Sequence, residues 1–215
     1  FANGDKTIDE VSFEIEPKEF VFITGRSGAG KTTLLRLMMR EFLPTTGKIL
    51  VDKEDITSLQ PKKLPELRRK IGAVWQDFKL LWDRTVGENI ALTLEILGHE
   101  EEEIIKHVQQ LLELVEMKNK EDLFPAQISG GELQRTVIAR ALASKPKILF
   151  ADEPTGNLDE ITAMQIMELL KDINELGTTV LVATHNKALV EKLGKRKLTL
   201  EKGKLVADEK TDGKK

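Results

Sequence analysis

Eight residues restrict the fold of this chain more than any other stretch: Gly25, Arg26, Ser27, Gly28, Ala29, Gly30, Lys31 and Thr32. They fit the pattern Gly-x-x-x-x-Gly-Lys-Ser/Thr. An apolar run at 20–24 precedes them and reads as a buried strand, and a helix is expected over about 31–42. Strand, glycine-rich turn and helix together make a cradle for phosphate. Glycines let successive N–H groups curl toward one anion, and the helix start adds its positive end. Lys31 offers a point charge to β- and γ-phosphates, and the Thr32 hydroxyl can ligate Mg²⁺. Thr33 completes the predicted nucleotide-binding stretch. A ligand-free turn is the alternative, and the Lys-Thr pair argues against it.

The rest of the chain alternates short apolar runs with helical stretches, so an α/β fold with a mainly parallel sheet is expected. Strands are expected at 48–52, 71–76, 147–151 and 178–184, and a helix at 161–176. Residues 197–200 and 205–206 flank a turn and suggest a hairpin, followed by a frayed polar tail over 208–215. Between the two α/β halves, 99–120 reads as one amphipathic helix. Ile104, Ile105, Val108, Leu111, Leu112 and Val115 recur on one face. Glu100 to Glu103 sit in its first turn, with Lys118 and Lys120 at its end, matching the helix dipole. Residues 88–135 are expected to form an inserted helical lobe, with 1–87 and 136–207 as the core. An ordinary surface helix of the core remains the alternative.

Composition excludes several classes. Thirty-three Lys and Arg against 36 Asp and Glu leave a net charge of −3, giving no general drive toward nucleic acid or anionic membrane. With no cysteine, disulfides, thiolate metal sites and thiol nucleophiles are out. No apolar run approaches the roughly 20 residues of a membrane span, and no secretory signal is recognisable at the start. The chain opens on Phe1 rather than Met, so preceding residues are expected.

A phosphate site needs a metal holder and a base. Residues 148–153 form an apolar strand ending in Asp152 and Glu153. Asp152, at the carboxyl end of a central strand, is placed to hold Mg²⁺ directly or through water. Glu153 can reach an attacking water as general base. The alternative, a carboxylate pair capping a loop, weakens beside a phosphate loop. His185 ends the next strand; on spacing alone, a structural histidine and one that orients the γ-phosphate or Glu153 both stay open. His99 and His107 are expected to be solvated.

Ile128, Ser129, Gly130, Gly131, Glu132, Leu133, Gln134 and Arg135 stand just before the second half of the core. With the phosphate loop, Gln76, Asp152, Glu153 and His185, they resemble the ATP-binding-cassette ATPases in order and spacing over nearly the whole chain. The resemblance implies a P-loop NTPase (RecA-like) core, a small antiparallel β subdomain and an inserted α-helical subdomain. It implies ATP and Mg²⁺ as cofactors and a homodimer on ATP binding. Ser129, Gly130 and Gly131 would face the γ-phosphate held by the other copy. Ser129 is also a good N-cap, so a plain helix-capping turn is the alternative. By the same resemblance, Gln76 touches Mg²⁺ and the attacking water, and Phe1 stacks on adenine. Gly156, Asn157, Leu158 and Asp159 form the loop through which the copies sense each other. Departures are Ile128 for Leu, Glu132 for Gln, Thr32 for Ser and Lys18 for Gly; none removes a catalytic group.

The stretch from Asp77 to Leu92 resembles the branch of that family that serves bacterial cell division, in its Lys79-Leu80-Leu81, Asp83-Arg84-Thr85-Val86 and Glu88-Asn89 cores. Lipoprotein-release and macrolide-export ATPases share residues 156–159 and are the alternative. The division branch implies an integral membrane partner, docking near Gln76 to Leu97, and a place on the cytoplasmic face of the bacterial inner membrane. No nucleic-acid partner is expected. Phe78, Leu80, Leu81 and Trp82 are docking candidates, and simple burial in the core is the other reading of each.

Overall fold

The computed structural model describes residues 7–210, so Phe1 lies outside the described residues. Strand β1 (Phe20–Thr24) leads through the glycine loop into helix α1 (Lys31–Met38). The short strands β2 (Leu50–Val51) and β3 (Glu54–Asp55) follow, then α2 (Leu64–Arg69) and β4 (Ile71–Val74). Three helices come next: α3 (Val86–Leu97), α4 (Glu101–Leu114) and α5 (Gly130–Leu142). The chain returns through β5 (Ile148–Asp152), α6 (Glu160–Glu175), β6 (Thr179–Thr184), α7 (Lys187–Leu193), β7 (Arg196–Glu201) and β8 (Lys204–Glu209).

Six strands form one sheet in the order β4-β5-β6-β1-β7-β8, parallel except for β8. Successive side chains of a strand point to opposite faces, and both faces here are covered. Val21, Ile23, Phe150 and Leu181 pack with Leu34, Leu35 and Met38 of α1. Phe20, Phe22, Leu149 and Val182 pack against α5 and α6 through Val137, Ile138, Ile166 and Leu170. This second cluster continues without a break into α3 and α4 through Ile90, Leu94, Val108 and Leu112. Parallel strands buried on both sides must be apolar throughout, which is why 20–24, 148–152 and 179–184 stand out in the sequence.

Four expectations need correction. Helix α1 stops at Met38, short of Phe42, because Arg40 turns left-handed (φ 58°) and its side chain donates to the carbonyls of Ile56 and Thr57. The strand expected over 48–52 shrinks to two residues, since Asp52 and Lys53 take positive φ of 53° and 66° in a tight hairpin turn. Helix α4 starts at Glu101, leaving His99 outside it. It ends at Leu114, where Glu116 turns left-handed and the Met117 N–H bonds back to the Leu112 carbonyl. Lys118 and Lys120 therefore lie beyond its last turn, paired with Glu113 and Glu132. Finally, the tail does not fray at 208. Asp208 and Glu209 extend β8.

Asp208 is held there by Arg196, a guanidinium that is 4% exposed. Arg196 donates to both Asp208 oxygens (2.8 and 2.7 Å), to Glu19 (2.9 Å) and to the Glu14 carbonyl (2.8 Å). The hydrogen bonds from Arg196 hold the Asp208 carboxyl below the usual carboxylate range. A carboxylate lowered by folding adds stability above its unfolded pKa, lost as pH falls through its folded value. Removing one partner of a buried pair costs roughly 3–5 kcal/mol. Asp208 keeps 33% of its side chain in water, so Arg196→Met should cost less, about 2–3 kcal/mol. Calorimetry should show a melting point roughly 4–12 °C lower and a flatter loss of stability at acid pH; an unchanged melting point contradicts this account.

Candidate nucleotide site

The glycine loop leaves β1 at the carboxyl edge of the sheet. Gly25 has φ 152°, and a Cβ there would stand 2.4 Å from the Leu200 carbonyl oxygen. Gly30 has φ 103°, and a Cβ there would meet the Thr7 carbonyl oxygen at 2.8 Å. Neither position accepts a side chain. The loop is braced from behind by the β7–β8 turn, where the Gly203 N–H donates to Ala29 (3.1 Å). Helices α3, α5, α6 and α7 are capped by the side chains of Thr85, Ser129, Asp159 and Asn186, but α1 has no side-chain cap. Its first N–H groups are thus open to an anion.

Lys31 is 7% exposed. Its ammonium donates to the Gly25 carbonyl (2.9 Å) and stands 3.5 Å from Oε1 of Glu153. Glu153 itself takes a left-handed φ of 48° at the end of β5, the kind of backbone strain that marks functional sites. Its Oε1 lies 2.8 Å from Nδ1 of His185, and its Oε2 accepts from the Thr184 hydroxyl (3.2 Å) and the His185 N–H (3.4 Å). Lysine, glutamate and histidine therefore form one connected line.

Beside it, Asp152 is buried, and its Oδ1 has no hydrogen-bond partner. Burial pushes its carboxyl up, against the opposing hydrogen bond from Thr32, while Glu153 adds to the rise. An unpartnered buried carboxylate oxygen next to a hydroxyl suits a hard divalent cation with oxygen ligands. Gln76 lies at the neighbouring strand end, and its Nε2 stands 3.5 Å from where a Cβ on Gly156 would be. A cleft of about 970 Å³ runs along the outer flank of the loop, past Arg26, Ser27, His185 and Thr199, but Lys31, Thr32 and Asp152 do not line it. The cradle proper is the loop and the strand ends.

One edge of the sheet thus gathers the residues 25–33, Gln76, Asp152, Glu153 and His185. Ser129, Gly130, Gly131 and Asp159 are not part of that cluster. Among the described residues no hydrogen bond or ion pair joins them to the phosphate loop. Ser129 caps α5, and its N–H and hydroxyl both donate to Glu132 (2.8 and 2.9 Å). A Cβ on Gly131 would meet Thr162 of α6 at 2.5 Å, so this turn packs closely on its own chain. Asp159 caps α6, accepting from the N–H groups of Ile161 and Thr162 (both 3.0 Å). Sequence reasoning missed Thr184, whose buried hydroxyl anchors Glu153, and Asn89, whose buried amide binds Leu81 and donates to Arg84 and Thr85. Thr184 ends an apolar strand and Asn89 belongs to the Glu88-Asn89 pair noted above, but neither signal marks these contacts.

A parallel sheet ending in a phosphate loop, with a strand-end aspartate and glutamate beside it, defines a P-loop ATPase. The family model described as ABC transporter matches residues 8–156. The chain belongs to this family and is an ATPase. It is 47% identical to the cell division ATP-binding protein FtsE of Bacillus subtilis strain 168, over 97% of this chain and 92% of that one. FtsE of Escherichia coli K12 is 44% identical over 95% of this chain and 92% of its own length. Among solved structures, the ATP-binding cassette MJ0796, a dimer bound to ADP and Pi, superposes with a TM-score of 0.87 at 38% identity. It covers 96% of this chain and 91% of that one.

A carboxyl raised by folding destabilises the fold once ionised, a penalty that sets in as pH rises through the unfolded value and is complete above the folded one. Asp152→Asn should therefore melt higher than the parent at neutral pH without Mg²⁺. Added Mg²⁺-ATP should stabilise it less than the parent. A variant that melts lower without metal would contradict the desolvation cost of the buried carboxylate.

Proposed function

We propose that the chain is the ATP-hydrolysing subunit of an FtsE–FtsX-type membrane complex. Two copies close on two ATP molecules, and the closure passes through the membrane partner to regulate cell-wall hydrolysis in division. The observation that carries this is the split site. Lys31, Asp152, Glu153 and His185 share one edge, while the Ser129 turn stands apart on the exposed start of α5. A second copy can bring that N-terminus to the γ-phosphate, where amide dipoles favour an anion. The likeness to FtsE supplies the cellular setting.

Lys31 exchanges its contacts with Gly25 and Glu153 for the phosphates. Glu153 then takes a proton from water as the water oxygen bonds the γ-phosphorus. The bond to the β–γ bridging oxygen breaks, and ADP keeps the electron pair. His185 orients Glu153 through the 2.8 Å contact and faces the γ-phosphate. Asp152 and Thr32, with Gln76, would hold Mg²⁺, which when bound would supply positive charge against the phosphates. Asp159 belongs to the loop that senses the other copy.

The docking surface lies after Gln76. Leu80 is buried and Phe78 packs on the core, whereas Leu81 and Trp82 are exposed. The surface belongs to a cleft between the core and the lobe of residues 88–135. Attachment to the cytoplasmic face runs through the partner; among the described residues no helix is long and apolar enough to cross a membrane.

Glu153→Gln should keep ATP binding, slow hydrolysis at least a hundredfold and accumulate an ATP-bound dimer. Light scattering after size exclusion with ATP and Mg²⁺ reads this directly; a strictly monomeric variant at saturating ATP would falsify the shared site.

A further inference from the structure

We infer that Arg140 is a positioning residue for hydrolysis, tying the loop that follows Gln76 to the helix that begins at Ser129. The inference rests on the shared site proposed above. Arg140 lies near the end of α5. Its Nη1 donates to the Lys79 carbonyl (2.6 Å) and its Nη2 to the Phe78 carbonyl (2.9 Å). Among the described residues it has no carboxylate partner, and burial lowers its affinity for its proton. A partly buried cation without a carboxylate partner carries a desolvation cost, so its presence calls for a reason.

The carbonyls it grips supply one. Phe78 and Lys79 both have positive φ, 57° and 50°, a conformation that side chains disfavour. Two such residues in succession hold their shape when the surroundings over-determine them. The fork of a guanidinium spans both carbonyls at once, which an ammonium cannot do. From the other side, Asn89 of α3 bonds both the N–H and the carbonyl of Leu81 (2.8 and 3.0 Å). The loop between Gln76 and Thr85 is thus clamped by two helices.

Its position matters because of what flanks it. Gln76 stands two residues before the gripped carbonyls, and exposed Leu81 and Trp82 stand just after them. Ser129 and Arg140 are eleven residues apart along α5, about 16 Å at 1.5 Å per residue. A shift of the Ser129 turn, when it meets the partner copy's phosphate, is delivered by this rod to Phe78 and Lys79, and so to Gln76 and the docking surface. Arg140 carries that displacement without touching nucleotide.

The chain has two tryptophans, Trp75 and Trp82, one on each side of the grip, so intrinsic fluorescence reports this loop alone. In Arg140→Met, kcat should fall at least tenfold with KM for ATP within threefold of the parent. The change in tryptophan emission on adding ATP and Mg²⁺ should vanish. Arg140→Lys should fall between the two. Adding Lys79→Gly to Arg140→Met should recover at least threefold in kcat, since glycine holds a left-handed φ unaided. A folded Arg140→Met with kcat and emission response within twofold of the parent overturns the inference, as does a parent whose emission ignores ATP. Should Arg140→Met fail to fold, Arg140→Lys decides by the same readouts. If Glu153→Gln stays monomeric, the shared site itself fails; if it dimerises while Arg140→Met is unaffected, this inference alone falls.

Discussion

The buried ammonium of Lys31 is the charge on which the rest of the site depends. Two carboxylates, Asp152 and Glu153, occupy adjacent positions at the end of one central strand, where water is scarce. Such a pair would repel and desolvate itself out of the fold without a nearby cation. Lys31 provides it, and the backbone carbonyl of Gly25 fixes the ammonium in place. The glycines matter for the same reason. Their backbone path brings that carbonyl within 2.9 Å of Nζ and leaves the amides of α1 free. Structure and chemistry share one arrangement here: the cation that makes two adjacent carboxylates tolerable is the one proposed to meet phosphate.

Several polar groups of the site are partnered within the chain. Glu153 is occupied by Lys31 and His185, Ser129 by Glu132, and Asp159 by the start of α6. Each contact is polar, and each involves a group to which the proposed reaction gives another partner. Buried polar groups are generally satisfied, so groups that change partners in the proposed cycle need a second set. The left-handed backbone at Glu153 fits this pattern, since strained residues sit where one conformation must yield to another.

Much of this could be read before any coordinates, and the reasons are local. A phosphate loop is covalently contiguous, and its glycines, lysine and threonine announce themselves at fixed spacing. The buried strands carry apolar runs, and Asp152 and Glu153 end one of them. Lys18, which stands where glycine is usual in the family, has φ 67° and keeps its place because its N–H donates to Thr179 and its carbonyl accepts from Asn174. The α3 start, Thr85 with Glu88 three residues on, is a readable capping signal that went unused. What could not be read is long-range. Arg140 meets Phe78 and Lys79 across 62 and 61 positions, and Arg196 meets Glu19 across 177. No periodicity links such pairs. Helix ends were misplaced for a related reason: Arg40 and Glu116 terminate α1 and α4 by left-handed turns that non-glycine residues do not advertise.

The bracing of the phosphate loop by the β7–β8 turn has a consequence for how the molecule loosens. Gly203 donates to Ala29 and accepts from Asp9, so the edge hairpin, the loop and the segment before β1 are knotted at one point. An edge hairpin is ordinarily among the first parts of a sheet to open. Here its opening also unlatches the loop, and a triphosphate gripping the loop would hold the hairpin shut. Amide exchange in residues 196–209, which brace the loop from behind, becomes a gauge of occupancy, and the least central strand of the sheet inherits the tightness of the ligand.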